Sequence, residues 1–513
     1  MIYKFPVMSN KIISTTGDPR LDKISKTRKT WRNATRNVVV TPVRYFHPEN
    51  RGDIEAIIRN AENNSYRVRA VGAGHSFSEV AKCPDYLVNM FGIDHCGKYP
   101  ESFLKDSARD GRYVIAGAGI PIKNLNRKLE DLNSNLPNMG AFDWQTVSGA
   151  LSTATHGSGI KQPAFPDMVR AIILVGSGGK VKQIEPSEGI TDPSKVNPAG
   201  AIDLIQDDDL FYSTVVSFGA MGIIYELVLE VKPLFWMLER RVMTDWKDLK
   251  PRLLDGSFIN ETLRNNDFVS LRINPYGTGK NNTHKCAEVN QNILIQPPAR
   301  RTFGEKTKNL FSTILGRIPL LPWIEVLWLN IRPGSVPNTI NSILKGTQDP
   351  IYINKSHKVL YQSAVNIRRH GMSCEFAFPV DGKQIVKIVE MIFEEARRNL
   401  ASGKLYQTSH IAIRFVPGSK AYLSTAYGEE KFYVDIPLLK NTIGDFEILS
   451  RYQDRMIAEG GMPHWGKINM RLYGNYHILQ QHFPKLDTWL KARREMDPRG
   501  TFISEFMEHT RLI

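Results

Sequence analysis

Cysteine is scarce in this 513-residue chain: Cys83, Cys96, Cys286 and Cys374 are scattered and form no C-x-x-C pair. That spacing argues against a disulfide framework and against a structural zinc site, and a reducing compartment is the simpler expectation. No metal site is expected. An uninterrupted apolar run long enough to span a bilayer is also missing. The nearest approach, residues 310–329, is broken by Arg317, Pro319, Pro322 and Glu325. It is expected either as a buried helix pair or as a Trp-bearing surface that touches lipid. No secretory signal opens the chain, so a cytoplasmic, peripherally membrane-associated protein at most is expected. Internal repeats and low-complexity tracts are absent, as are a Walker loop and a complete G-x-G-x-x-G fingerprint.

Positive charge is in excess. Lys and Arg number 67 against 52 Asp and Glu, a formal charge of +15. These residues are spread along the chain, and no nucleic-acid motif accompanies them, so nucleic acid is not an expected partner. A basic surface that favours anionic substrates or membrane surfaces is the simpler reading. The length implies at least two domains.

Residues 1–36 read as a polar lead-in. From 37 to about 235, strand patterns alternate with helical ones: strand 37–46, helix 50–64, strand 66–72, strand 112–120, helix 121–133, a hairpin around Gly178-Gly179 and an apolar strand after Met221. Residues 236–513 read differently. Amphipathic helices are predicted over 244–257 and 382–400, with strands over 268–274, 372–380, 411–417 and 431–438, which suggests an antiparallel sheet covered by helices on one face. The expected class is α+β, in two domains.

Glycine marks the candidate site. Gly72, Ala73, Gly74, His75 and Ser76 follow a predicted strand, and glycine lets backbone N–H groups approach a phosphate without a Cβ in the way. Gly117 and Gly119 end another strand. Gly140, Ser148, Gly149, Ser152, Thr153, His156 and Gly157 lie in a third segment dense in small and hydroxyl side chains, the donors a pyrophosphate needs.

Three segments, "VRAVGAGHSFSEVAKCPDYLVNM", "SGALSTATHGSG" and "GAMGIIYELVLEV" (with Ile223 and Ile224), resemble the FAD-binding (PCMH-type) domain of the vanillyl-alcohol-oxidase-type flavoproteins. "PHWGK" at 463–467 and "KARREMDPRGTF" at 491–502 resemble the C-terminal signature of the sugar-lactone and alditol oxidase branch, which includes gulonolactone, arabinonolactone and xylitol oxidases. The resemblance implies an FAD-dependent oxidation of a CH–OH group by hydride transfer to flavin N5. Oxygen is the implied acceptor, with a quinone or cytochrome as the alternative. It further implies a covalent link from His75 to FAD, against the plainer role of a loop-capping histidine, and a non-covalent flavin contact for His156. Lys467, beside His464, resembles the lysine that faces substrate and flavin, although a Trp-flanked lysine can also lie along the surface. Arg414 resembles the arginine of an E-x-R strand motif, but Ala412 stands where that glutamate is expected. Glu375 is expected either to replace it from a neighbouring strand or to sit on an edge-strand surface. The departure at Ala412 leaves open a larger apolar or aromatic alcohol as substrate. A membrane-associated binding protein without turnover is the reading from another class.

Overall fold

The structure, a computed structural model, describes residues 15–195, 202–296, 298, 321–345, 351–361, 371–401 and 405–513. Residues 310–320 of the apolar segment and 1–14 of the lead-in lie outside these. Two larger sheets and two short two-stranded ribbons form the first half. Val68–Val71 and Arg44–Phe46 both run parallel to Tyr86–Asn89 between them. A six-stranded sheet follows, centred on Val169–Val175 and Ile223–Glu230. The predicted helix over 50–64 is present as Arg51–Asn63, with the Asn50 side chain accepting from the Asp53 N–H at 3.1 Å, a side-chain N-cap. The glycine-turn hairpin is present too. Val175 pairs with Val181, and Gly178 and Gly179 take positive φ of 72° and 69°.

The second half is built on an eight-stranded antiparallel sheet. Its order is Ile351–Lys355, Trp236–Asp245, Thr283–Leu294, Phe268–Thr278, Ile411–Val416, Lys431–Leu439, Gly371–Pro379 and Met462–Pro463. Four of these strands match the expected ones. Trp236–Asp245 and Thr283–Leu294 were not foreseen from the sequence. Alternation along the strands separates two faces. Ile411, Ile413 and Phe415 join Cys374, Phe376, Val434 and Ile436 in a core with Ile385, Val389 and Ile392 of the helix Gly382–Ala401. Ala412, Arg414, Ser373, Glu375 and Asp435 take the opposite face, toward the first half of the chain. The chain end then crosses back. Trp465, Leu479, Trp489, Phe502 and Phe506 share one core with Ile57, Val88 and Leu227.

Candidate active site

Between the eight-stranded sheet and the glycine segments lies a cavity of about 460 Å³. It meets a narrower one of about 100 Å³, with His75, Ser76, Gln145 and Thr153 on the walls of both. The narrow cavity is lined by Gly72, Ala73, Gly74, Ser148, Gly149, Ser152, Gly219, Gly222 and Ile224. Its width depends on missing side chains. A Cβ on Gly72 would lie 2.0 Å from the Thr146 hydroxyl, and Gly74 holds a φ of +68°. The His75 loop is tied to the far end of the chain, because Phe77 N–H donates to Gly466 C=O at 2.8 Å and the Ser78 hydroxyl to Trp465 C=O at 2.6 Å. His75 packs edge-on against Phe142, ring centres 4.5 Å apart, at the junction of the two cavities.

A long ligand with an anionic middle and a flat ring end fits this pair. Hydroxyls and glycines line the narrow part, and an imidazole stands where it widens. FAD has that shape and charge, so the residues present fit it. Gly140, His156 and Gly157 line the wide cavity. Gly117, Gly119 and Ile223 are buried away from both cavities. A Cβ on Gly119 would lie 1.6 Å from the Met90 carbonyl oxygen and one on Gly117 2.5 Å from that of Ile93, so these glycines admit the neighbouring loop. Ile223 pairs with Val175 inside the sheet.

The wide cavity holds the charges. Glu375 is 2 % exposed, a buried group rather than an edge-strand surface one. One row crosses the sheet from Arg272 through Ala412 and Asp435 to Glu375, each opposite the next. Lys467 Nζ donates to Ser373 Oγ at 2.9 Å and to Asp435 Oδ1 at 3.2 Å, with Glu375 Oε2 at 3.7 Å. Arg414 Nη1 is 3.9 Å and His156 Nε2 3.5 Å from Glu375 Oε1. That oxygen is buried and accepts no hydrogen bond. Lys467 therefore faces the cavity and does not lie along the surface.

Burial works against the Lys467 ammonium, but Asp435 and Glu375 outweigh it and hold its pKa above the ordinary value. Burial likewise opposes the Glu375 carboxylate, and Lys467 and His156 overcome it, holding its pKa well below the usual range. Burial pushes His464 down to about 3, against Glu375 and together with the nearby His156 and Lys467. His464 Nδ1 accepts from Gly466 N–H at 3.1 Å, which leaves Nε2 carrying the proton of the neutral ring. Among the described residues, His156, Glu375 and His464 bring possible ligand atoms within 4.8 Å of one another. The Lys467 ammonium already supplies positive charge at that carboxylate.

Sequence reading overlooked Asp435, Glu239, Arg241, Arg272 and His410, all on the cavity wall. For Asp435 the signal was available: an acid inside the apolar strand "KFYVDIPL". No described helix is long and apolar enough to cross a membrane.

Fold and site together define an FAD-linked oxidoreductase of the PCMH type. A model of the FAD binding domain matches residues 42–185, and a model of D-arabinono-1,4-lactone oxidase matches residues 259–510. The chain belongs to the sugar-lactone oxidase branch of that family. It is 24% identical over 93% of its length to the L-gulono-1,4-lactone dehydrogenase of Mycobacterium tuberculosis, covering 97% of that protein. It is 22% identical to the L-gulonolactone oxidase of Mus musculus, again over 93% of this chain and 97% of the relative. With the D-arabinono-1,4-lactone oxidase of Saccharomyces cerevisiae it shares 24% over 83% of its length and 82% of that enzyme. The crystal structure of cholesterol oxidase from B. sterolicum shares the fold, with a TM-score of 0.74 at 14% identity, covering 95% of this chain and 98% of that one.

Proposed function

We propose that this chain oxidises a CH–OH group of a sugar lactone or polyol, with residues 37–235 holding FAD and 236–513 forming the substrate side. The observation that carries this is the Lys467–Glu375–Asp435 cluster, buried on the sheet face opposite the His75 loop. When bound, FAD supplies the acceptor for the two electrons and the hydrogen of the C–H bond. The protein's part is position and charge. Glu375 Oε1, buried with His156 Nε2 at 3.5 Å and Arg414 Nη1 at 3.9 Å, accepts the hydrogen bond of the reacting hydroxyl. Lys467 and His156 hold that carboxylate ionised, and Lys467 and Arg414, both beside it, stabilise negative charge on the substrate oxygen. A carboxylate held this far down is a weak base, so it takes the proton only as the C–H bond breaks and the hydroxyl becomes strongly acidic. His464 stands beside it as a neutral ring.

His75 is proposed as the covalent FAD attachment, since it stands at the junction of the two cavities. Oxygen is the proposed acceptor, in line with the oxidase names of the relatives. A peripheral membrane contact through the helix Leu321–Ile331 is a further part of this reading. Trp323, Ile324, Leu327, Trp328 and Ile331 are exposed there, on a chain of +15. The charged cavity wall does not support an apolar alcohol. Mass spectrometry of the tryptic peptide bearing His75 tests the attachment. Added flavin mass is expected, and His75→Ala should release FAD on acid precipitation. An unmodified peptide from fully flavinated protein would remove His75 from that role.

A further inference from the structure

The His75 loop is held from two sides. The chain end holds it through Gly466 and Trp465. The other side is a short hairpin near the start of the chain, in which Trp31–Arg32 pairs antiparallel with Val39–Val40. This hairpin precedes residues 42–185, the span matched as an FAD binding domain. Apolar packing anchors its base, where Trp31 and Val38 share a small core with Tyr45, Val71, Cys83 and Leu87.

The tip of the hairpin reaches across the loop. Ala34 N–H donates to Gly74 C=O at 2.8 Å, Asn33 Nδ2 to Ser76 C=O at 2.9 Å and Asn37 Nδ2 to Phe77 C=O at 2.7 Å. One carbonyl before His75 and two after it are thus fixed by a single turn. The approach is close as well. A Cβ on Gly74 would lie 3.2 Å from Asn33 Cα and 3.2 Å from the Trp31 ring, so this glycine admits the hairpin.

The two asparagines are themselves fixed. Asn33 Oδ1 accepts from Val38 N–H at 3.1 Å. Asn37 Oδ1 accepts from Asn33 Nδ2 at 2.7 Å and from the Thr35 hydroxyl at 2.6 Å. Asn33 and Thr35 are buried. Arg36, at the turn, takes a φ of 58°, the left-handed conformation that an arginine rarely adopts. Such a conformation persists only where its surroundings over-determine it. Thr35 also reaches the wall of the wide cavity, and its carbonyl accepts from Lys440 Nζ of the second half at 2.9 Å.

The loop needs this support. Gly72 and Gly74 let the backbone approach a diphosphate, but glycine has the most conformational freedom to lose. Forming a bond at an imidazole nitrogen requires the reacting atoms to be held aligned, about 3–3.5 Å apart. Three carbonyls fixed around His75 supply a constraint that the glycines do not.

We propose that the hairpin Trp31–Val40 is a template for covalent flavin attachment, with Asn33 and Asn37 as positioning residues that hold the backbone on both sides of His75. The inference rests on the attachment reading above. The bond made joins an imidazole nitrogen of His75 to a ring-methyl carbon of the flavin. A C–H bond of that carbon and the imidazole N–H bond are broken. The two hydrogens and two electrons stay on the flavin ring as its reduced form, and molecular oxygen then takes them as hydrogen peroxide. The asparagines exchange neither proton nor electron in this step, and their effect is on geometry alone.

The test reads attachment separately from binding. The full chain is harvested at intervals after a short induction, and acid-stable flavin is measured against total bound flavin. Asn37→Leu removes the donor to Phe77 C=O. It should slow attachment about threefold to tenfold, the worth of one buried hydrogen bond, with total bound FAD and urea midpoint close to those of the wild type. Asn37→Asp covers the case in which that variant does not fold. It keeps the oxygen that Asn33 and Thr35 use, loses the same donor, and should show the same slowing. An acid-stable fraction that rises as fast in both variants as in the wild type would overturn the proposal. So would a joint loss of bound FAD and urea midpoint with the acid-stable fraction of the remainder unchanged, the mark of a hairpin that only stabilises the fold. A wild type that releases all of its flavin in acid would remove the attachment reading itself, and the template with it.

Discussion

Lys467 keeps its charge in a place where burial alone would remove it. Two carboxylates supply the compensation, and in return the ammonium keeps Glu375 ionised. Replacing Lys467 by Met leaves Glu375 buried beside Arg414 and removes the ammonium that pairs with its Oε2 and with Asp435. Anaerobic flavin reduction should slow by about two to three decades while FAD stays bound, read as an unchanged absorbance ratio of flavin to protein. Ala412 gives a second residue-scale prediction. The glutamate expected there from the E-x-R pattern would stand directly opposite Asp435, two strands from Glu375. Like charges directly opposite are destabilising, and two carboxylates already serve the site. Ala412→Glu should therefore lower kcat/KM for a lactone rather than raise it, and a gain in steady-state efficiency would show that the site lacks a carboxylate after all.

Among the elements, one of the strands not legible in the sequence, Trp236–Asp245, has the most to say. "WMLERRVMTD" carries Glu239 and Arg241 on its buried positions. Charges at inward positions erase the apolar alternation by which a strand is recognised. The pattern failed there because the strand lines a cavity and not a core. By contrast Ile411–Val416 was legible, since Ile411, Ile413 and Phe415 face a true core. The glycine-bearing elements divide in a similar way. Gly119→Ala would press a Cβ onto the backbone oxygen of Met90, which cannot swing aside. It should destabilise the fold by about 1–3 kcal/mol, measured by urea denaturation, while leaving the cavity lining intact. Gly72→Ala meets only the Thr146 side chain, which can turn, but it narrows the cradle. Its cost should appear as lost FAD in the purified protein, with a smaller change in denaturation midpoint.

For the molecule as a whole, buried titrating groups couple stability to pH. His410 is pushed from its ordinary 6.5 to about 3. Between those values the unfolded chain binds a proton that the folded one refuses, so this residue makes stability fall as pH falls from 6.5. Burial pushes Asp167 and Asp497 up to about 6. The folded form then holds more protons than the unfolded one above 3.8, and these two act in the opposite sense. The contribution of His410 is therefore read as a difference. Between pH 7.5 and pH 5 the urea midpoint of His410→Gln should drop less than that of the wild type, and equal drops would contradict a buried neutral imidazole. The closing of the chain is also a whole-molecule matter. Trp465 and Trp489 are fully buried in the core that Ile57 and Val88 share, so the last residues of the second half complete the packing of the first.

What the sequence determined by itself was local. Gly72, Gly74 and His75 marked a loop that only small residues permit, the hairpin at Gly178-Gly179 followed from its turn, and the motif order identified the flavoprotein class. Lys467, Arg414 and Glu375 were also legible as site residues one at a time. Their relation was not. Which carboxylate faces Lys467, and whether Glu375 is buried, depends on strand order and register, which pair residues as far apart as 272, 412, 435 and 375. The buried basic wall had no sequence signal, because Arg241, Arg272 and His410 belong to three separate segments and read as ordinary surface charges. Only the sheet, by turning its even and odd positions to opposite faces, decided which charges are buried together and which meet water.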